Sequence, residues 1–329
     1  CIVVLFYQIL YPNEVFMELS FIKIQELLRE RADIHSRLAL LPYDGTPEIK
    51  EKNGRKYLYV RRRVASKNTS TYVDVYSDEL YQLLLRNNRE ARELRKALRH
   101  VDKALAELGY AKAELPPDVV LNLEFARANL KQNIYDQAVL EGVATSFPQT
   151  EEIIDNGIVN GMTASDVQKI LNLKHAWEFI LDEDVLQAKT DYALLTHIAK
   201  LVNEGFFSDG GRIRRIPVTI GGCSYVPPIP FEADVVANIE QILSAGDDLP
   251  TTAIRLCLYA MRTQVFVDGN KRASVIFANH FLISHGAGML IIPDKLVPEF
   301  KKQLVGFYES GKEAEILTFM MDSCMKSYE

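Results

Sequence analysis

The chain has 329 residues, a length that favours two domains, and its hydrophobic fraction of 48% and charged fraction of 25% are ordinary for a globular protein. A formal net charge of −6 excludes a protein that binds nucleic acid through an overall positive charge. The four cysteines are far apart and form no C-x-x-C pair, which argues against a disulfide framework or zinc site and indicates reduced thiols in a cytoplasmic protein: Cys1, Cys223, Cys257 and Cys324.

The amino-terminal stretch is apolar but too short to span a bilayer. Residues 1–11 read CIVVLFYQILY, about half the length that a transmembrane helix needs, and no basic segment precedes them as in a signal peptide. We therefore expect no membrane role and interpret residues 1–16 as an apolar extension, or as a segment that packs on the body of the protein. From Met17 to Arg31 apolar residues recur at helical spacing, which predicts the first helix.

A small α+β domain is predicted next. Asn53-Gly54 is a dipeptide typical of a hairpin turn, and Ser77 is suited to cap a long helix that runs to about Gly109. Because Pro116-Pro117 interrupts the chain, we place this domain at residues 17–111. Its strands are predicted at residues 48–49, 55–64 and 71–76.

This domain is basic. Between Gly45 and His100, fourteen Lys and Arg residues stand against seven Asp and Glu residues. Five arginines on the long helix recur every three or four residues and so form one stripe: Arg86, Arg89, Arg92, Arg95 and Arg99. The stripe is either a surface for nucleic acid or an acidic partner, or a solvated helix face. We favour the solvated face, because no aromatic residues are interleaved along the stripe.

The remainder, residues 112–329, is predicted to be a mainly helical domain. Its segment 210–230 is rich in Gly and Pro, and Ile216, Val218 and Ile220 alternate there with other residues, which predicts a β-hairpin with one apolar face. Helices are predicted at residues 119–142 (capped by Asp118), 162–181, 186–203, 231–244, 249–262, 273–284, 296–309 and 312–326.

Residues 265–274, VFVDGNKRAS, carry the chemistry that stands out. The N–H groups and dipole of a helix start favour an anion, and Gly269 allows a positive φ and close approach of a ligand. Lys271 and Arg272 add positive charge, and Asp268 is suited to hold a divalent cation against phosphate oxygens. Composition alone equally supports a capping turn with Asp268 as the N-cap and solvated cations.

The order of these features resembles the Fic (Fido) family. The family signature is roughly H-x-F-x-[D/E]-G-N-[G/K]-R-x-x-R, and residues 266–272 match it. Residues 210–230 resemble the family's flap, which holds a target segment by strand addition. Residues 170–180, with Asn172, are similar to the family's preceding helix. The resemblance covers residues 112–329 and implies the Fic helical fold with a β-hairpin flap.

Most of the family binds ATP and transfers AMP to a Ser, Thr or Tyr hydroxyl of a protein. The resemblance implies that Asp268 would hold Mg²⁺, and that the N–H groups of Gly269, Asn270 and Lys271 would cradle the phosphates. Arg272 would stabilise the charge that develops during transfer. ATP and Mg²⁺ are therefore the expected cofactors.

The resemblance also implies a protein partner. A target protein would dock along the flap through Ile216, Val218 and Ile220, and a homodimer is left open. Some members carry an inhibitory helix, [S/T]-x-x-x-E-[G/N], whose glutamate enters the nucleotide site. Residues 137–142, QAVLEG, fit this pattern at Glu141-Gly142. We interpret Glu141 as this inhibitory residue; the alternative is a helix that simply ends in an exposed Glu and a C′ glycine.

Two positions depart from the signature. Gln264 stands where the family has the histidine that serves as general base, and an amide does not accept a proton near neutral pH; losing a general base costs roughly 10²–10⁴-fold. Val275 replaces the second arginine, which in the family pairs with the inhibitory glutamate. His280 is expected to be packed in the next helix rather than to replace the base.

We assign Gln264, Asn270 and Arg272 to the reaction centre. The leading hypothesis is a Fic-family nucleotide-binding protein, related to protein adenylyltransferases, whose transfer is weakened or lost. One alternative is a silent module that senses nucleotide or binds a partner. Another is a phosphotransferase similar to Doc toxins, because the G-N-K-R form without a second arginine resembles that branch. A third assigns the main role to the basic amino-terminal domain.

Overall fold

The computed structural model describes residues 12–64, 67–112, 114–157 and 161–327, with the backbone alone for residues 12–21, 63, 64 and 67. The interpretation of residues 1–16 as an extension lies outside the described residues at positions 1–11, and residues 12–16 belong to the first helix. The chain forms two compact units, Cys1–Ala113 and Glu114–Glu329. No helix within the described ranges is long and apolar enough to cross a membrane.

The first unit consists of two long helices and a three-stranded antiparallel sheet in the order β1-β2-β3. Asn53 and Gly54 both have positive φ, 54° and 72°, so the hairpin turn is confirmed. The first helix starts before Met17, the start predicted from the sequence. The elements are α1 (Pro12–Leu40), β1 (Thr46–Lys52), β2 (Arg55–Val64), β3 (Lys67–Val75) and α2 (Asp78–Glu107).

Successive side chains along β2 point to opposite faces of the sheet. Leu58 and Val60 are buried on one face, where they pack with Leu84 of α2. Burial of side chains of this size contributes roughly 1.5–3 kcal/mol each. The predicted cap of α2 is confirmed, since the Ser77 hydroxyl accepts from the Leu80 N–H. On α2 the arginine stripe is exposed along its length, and Arg95 pairs with Asp44.

The second unit is built around one buried helix, α11, which packs against α3, α6, α8 and α10. A two-stranded antiparallel sheet pairs β4 with β5. The helices are α3 (Pro117–Ala128), α4 (Leu130–Leu140), α5 (Phe147–Asn156), α6 (Ala164–Ile180), α7 (Glu183–Leu186), α8 (Tyr192–Val202), α9 (Glu232–Leu243), α10 (Leu249–Thr263), α11 (Asn270–Ser284), α12 (Val297–Ser310) and α13 (Ala314–Cys324), with β4 at Met289–Leu290 and β5 at Met325–Lys326.

Two segments that the sequence predicts as single helices are each divided into two helices in the structure. The helix predicted over 119–142 is interrupted at Asn129, whose side chain donates to the Phe125 carbonyl, and Pro116 rather than Asp118 holds the N-cap position. The helix predicted over 186–203 is also split, because Asp191 accepts from the Leu194 N–H and starts α8 there. In both cases a short polar side chain competes with the helical backbone bonds.

Helix α5 is also absent from the helices that the sequence predicts. Its start is a capping box: the Ser146 hydroxyl accepts from the Gln149 N–H, and the Gln149 side chain accepts from the Ser146 N–H. The capping signal was present in the sequence, one residue before Phe147. In contrast, the predicted start of α6 is confirmed, because Thr163 accepts from the Asp166 N–H.

The strands predicted within 210–230 are not formed. This segment, which we call the flap, is irregular throughout, with one tight turn in which the Cys223 N–H donates to the Ile220 carbonyl at 3.2 Å. Gly222 at the turn has φ 74°. Proline cannot donate to a ladder, so the prolines on both arms, Pro217, Pro227 and Pro228, account for the absence of strand pairing.

Candidate functional site

The loop of the VFVDGNKRAS motif runs from the end of α10 to the start of α11, and Asn203 at the end of α8 supports it. The Asn203 amide donates to the carbonyls of Asp268 at 2.9 Å and Gly210 at 3.1 Å. A Cβ on Gly269 would lie 2.7 Å from Asn203 Oδ1, and Gly269 has φ 74°. A side chain at this position is therefore excluded by both space and conformation.

Gly269, and not Asp268, occupies the N-cap position of α11. The capping-turn alternative with Asp268 as the N-cap is thus wrong, because the Asp268 carboxylate accepts from Arg272 at 2.9 Å instead. The N–H groups of the first turn of α11 have no acceptor within the helix. The loop therefore combines a glycine, available N–H donors and two cations at one helix start.

Asn270 braces this loop internally. Its Oδ1 accepts from the Phe266 N–H at 2.9 Å, and its Nδ2 donates to the Phe266 carbonyl at 2.8 Å and to Gln264 Oε1 at 3.1 Å. Phe266 is buried and anchors the loop in the core. Asn270 thus fixes the distance between Gln264 and the start of α11.

Arg272 is buried beneath the loop. One terminal nitrogen donates to the Val202 carbonyl at 2.6 Å, at the negative end of the α8 dipole, and the other donates to Asp268. Its Nε lies 3.6 Å from Glu141 Oε2 and has no hydrogen-bond partner among the described residues. One buried N–H donor of the guanidinium is therefore available to an incoming oxygen atom.

Glu141, directly after α4, lies at the same place. Its side chain is only 13% exposed, and Oε1 lies 3.5 Å from Lys271 Nζ. The alternative of an exposed Glu at a helix end does not describe this position. Lys271 and Arg272 both face the Glu141 carboxylate.

Gln137, one turn earlier on α4, holds that helix against the motif. Its Nε2 donates to the Arg272 carbonyl at 2.8 Å, and its Oε1 accepts from the indole N–H of Trp177 at 2.9 Å. Trp177 is fully buried in α6, as expected for a core residue. No local pattern in the sequence predicts this linkage, because Arg272 and Trp177 lie on helices that are distant from Gln137 in the chain.

Gln264 has both amide atoms engaged. Its Nε2 donates to the Met261 carbonyl at 2.6 Å, while its Oε1 accepts from Asn270. Tyr308 is buried beside it. Burial is the largest cause that raises the pKa of Tyr308 well above its ordinary value, followed by the charges of Cys257 and Glu141. A hydrogen bond with Gln264 opposes this shift. Neither side chain is a proton acceptor near neutral pH.

His280 is packed in the core as expected. Its Nε2 lies 2.8 Å from the Val185 carbonyl oxygen and its Nδ1 lies 2.9 Å from the Thr190 hydroxyl. The ring is fully buried in α11. It therefore has a structural role.

Arg214 fixes the base of the flap, a role that the sequence did not reveal. The side chain is buried, and its N–H groups donate to five backbone carbonyls. These belong to Gln264 (2.6 Å), Ile216 (2.9 Å), Pro228 (2.5 Å), Pro227 (3.2 Å) and Thr263 (3.4 Å). Arg214 thus ties both arms of the flap to the end of α10.

The tip of the flap is fastened separately. Glu309 of α12 accepts from the N–H of Ser224 at 3.0 Å and from its hydroxyl at 2.9 Å. These bonds hold the pKa of Glu309 below its ordinary value. Between base and tip, Ile216 is 55% exposed, whereas Val218 and Ile220 are half-buried.

The loop residues fit phosphate and a bridging cation. The Asp268 side chain is 54% exposed and retains one oxygen beyond the one that accepts from Arg272. Within the described ranges no cluster of three acidic, His or Cys side chains exists that could hold a metal, so Mg²⁺ would depend on Asp268 and on phosphate oxygens. The positive charges of Lys271 and Arg272 are already balanced by Glu141 and Asp268.

Three comparisons with known proteins show what the two units of the chain are similar to. Residues 22–82 match a family model described as a domain of unknown function (DUF6788). Among curated relatives, the protein adenylyltransferase Fic of Drosophila willistoni is 26% identical over 229 residues, covering 67% of this chain and 45% of that protein. The same-named protein of Drosophila persimilis is 25% identical over 196 residues, covering 57% of this chain and 37% of that protein.

Among solved structures, residues 134–508 of C. elegans Fic-1 superpose with a TM-score of 0.52 at 18% identity, covering 75% of this chain and 74% of that one. A Fic domain-containing signalling protein from Bacteroides thetaiotaomicron gives a TM-score of 0.52 at 17% identity, covering 64% and 87%. These likenesses define a Fic fold. Together with the curated relatives they support a Fic (Fido) family protein, and the chain spans half or less of the length of the curated relatives named above.

Proposed function

We propose that the chain is a nucleotide-binding Fic protein related to protein adenylyltransferases, with weakened or lost transfer of AMP to protein hydroxyls. The names of the curated relatives and the donor-rich loop at residues 268–272 support this proposal. ATP would supply the transferred group, and Mg²⁺ would neutralise phosphate charge. Gly269 leaves room for the phosphates, Lys271 and Arg272 attract them, and Asp268 holds the cation.

The proposal of weakened activity rests on the chemistry and hydrogen bonds of the Gln264 side chain. A general base must have a lone pair that accepts a proton near the working pH. The Gln264 amide lacks such a lone pair, and both of its polar atoms are engaged by Met261 and Asn270. The binding half of the site is therefore assembled without the group that takes the proton from a target hydroxyl.

We also propose that Glu141 competes with the nucleotide. Its carboxylate lies within 3.6 Å of the two cations that phosphate would need, and one of its oxygens is buried without a hydrogen-bond partner in the described part of the chain. A phosphate group that binds there has to displace this carboxylate or accept its repulsion. Glu141 would thus reduce affinity for ATP by direct charge competition.

A silent partner-binding module is the second candidate, and the flap favours it. Several apolar side chains on this segment and directly after it are exposed: Ile216, Val226, Ile229 and Phe231. The flap forms no strand of its own, so a strand from another protein would add along the backbone that Arg214, Glu309 and the prolines leave available. This role needs no transferred group.

The proposal is tested by titration calorimetry with ATP and Mg²⁺, using Lys271→Ala as the loop variant and Lys302→Ala, an exposed lysine on α12, as control. We expect binding to the wild type and to Lys302→Ala, and weaker binding to Lys271→Ala. Incubation with ATP labelled at the α or γ phosphate then separates AMP transfer from the Doc-like phosphate transfer. Absence of nucleotide binding in all three proteins would refute the nucleotide claim and leave the partner-binding module.

A further inference from the structure

The sheet of the first unit has a second face that packing does not use. The register pairs Lys50 with Tyr57, and it pairs Tyr59 with Tyr72, so these side chains lie on the face opposite the buried Leu58. We call this surface the tyrosine face; its members are Lys50, Tyr57, Tyr59, Arg61, Ser70 and Tyr72. It lies on the side of the sheet away from the core that α2 covers.

The three tyrosines form one continuous group. The Tyr59 and Tyr72 ring centroids are 5.6 Å apart at an interplanar angle of 72°, and those of Tyr57 and Tyr72 are 6.3 Å apart at 54°. Tyr72 is 48% exposed. The Tyr72 ring is therefore held in place by Tyr57 and Tyr59, while about half of it is exposed to solvent. A flat aromatic ligand can stack on a ring held in this way.

Cations surround these rings. Lys50 Nζ lies 4.1 Å from the centroid of Tyr59, and Arg61 is exposed two residues further along β2. At the hairpin end, Lys52 and Arg55 are exposed on the same face. Two acidic side chains lie beside these groups: Glu48 is 3.2 Å from Arg61 and 3.9 Å from Lys50 Nζ, and Asp74 interacts with the Tyr72 hydroxyl, so the four cations outnumber two carboxylates. The tyrosine face therefore carries a net positive charge in a chain whose overall charge is negative.

We propose that the tyrosine face binds single-stranded nucleic acid. Unpaired bases stack on Tyr72 and its neighbours, while Lys50 and Arg61 contact the phosphates. A duplex keeps its base faces inside the stack, so the rings distinguish a single strand from a double strand. An acidic polypeptide would match the charge but has no flat π-surface to use the rings. The site is thus distinct from the exposed arginine stripe on α2.

The test is fluorescence anisotropy of the full chain with labelled twelve-residue oligothymidine, oligouridine and a DNA duplex of equal length. We expect both single strands to bind and the duplex to bind more weakly. Two phosphate contacts predict a slope of about −1.4 in a plot of log affinity against log salt. Tyr72→Ala should weaken single-strand binding by roughly 5- to 150-fold, whereas Tyr72→Phe should stay within about twofold.

Arg92→Ala, on the α2 stripe, is the matched control and should leave single-strand binding unchanged. Arg61→Ala changes a second exposed residue of the tyrosine face. It should reduce the slope of log affinity against log salt by about 0.7, and it tests the proposal if Tyr72→Ala does not fold. Circular dichroism establishes folding of each variant. The proposal is overturned if no single strand binds, if Tyr72→Ala and Tyr72→Phe behave alike, if Arg92→Ala causes the larger loss, or if polyglutamate competes as well as an oligonucleotide.

Discussion

Replacing Arg214 by alanine should loosen the flap and destabilise the second unit. The guanidinium is buried, and its loss removes the donors to five carbonyls at the flap base. Burial lowers the pKa of Arg214, opposed by Tyr225, yet an arginine remains charged at neutral pH. Charge-assisted bonds are worth about 1.5–3 kcal/mol each, but water reaches some of the freed carbonyls, so we expect a loss of about 3–5 kcal/mol.

Arg212 provides the matched control two residues earlier. Its side chain is 79% exposed and forms one ion pair, with Asp209. Arg212→Ala should therefore change the free energy of unfolding by less than about 0.5 kcal/mol. Arg214→Lys should fall between the two alanine variants, because a lysine keeps the charge but lacks the planar fork of donors.

Urea unfolding followed by the fluorescence of Trp177 measures this difference, since Trp177 is the single tryptophan and is buried in the second unit. Limited proteolysis between residues 215 and 226 reports the flap itself. We expect both a lower unfolding midpoint and faster cleavage for Arg214→Ala. If Arg214→Ala and Arg212→Ala unfold at the same urea concentration and are cleaved at the same rate, Arg214 does not hold the flap.

Two further predictions concern carboxylates around the site. A carboxylate about 4 Å from a phosphate opposes binding by on the order of 1–4 kcal/mol, so Glu141→Gln should tighten ATP binding about fivefold or more in calorimetry; unchanged affinity would exclude charge competition. The lowered pKa of Glu309 means that its bonds to Ser224 stabilise the flap tip above the ordinary carboxyl pKa and are lost as the pH falls through the lowered value. Proteolysis of the flap should therefore accelerate in the wild type as the pH falls below the ordinary carboxyl pKa of 4.5, while Glu309→Gln should show no such step.

Local signals in the sequence were sufficient wherever a nearby side chain decides the structure. The caps at Ser77 and Thr163 and the turn at Asn53-Gly54 each act within a few residues, and each was predicted. The same holds for the motif loop, whose glycine and cations lie within four residues. The breaks of the helices at Asn129 and before Asp191 were missed, because the helical pattern of apolar residues continues across both.

Long-range contacts decide the rest of the site. Nothing in the run RIRR distinguishes the buried Arg214 from the exposed Arg212, since its acceptors come from the flap arms and from α10. In the sequence Asn203 is recognised only as the residue at the end of a helix, whereas in the structure its side chain donates to the Asp268 carbonyl. The tyrosine face likewise depends on the strand register, which brings together residues more than ten positions apart.

The central claim is that the loop binds nucleotide while Gln264 leaves the target hydroxyl without a base. The most direct measurement is incorporation of label from α-labelled ATP into protein by Gln264→His/Glu141→Gln, compared with Glu141→Gln alone. We predict that restoring the imidazole raises incorporation by roughly 10²–10⁴-fold. Equal incorporation by the two proteins, when both bind ATP, would contradict the claim that only the proton acceptor is missing.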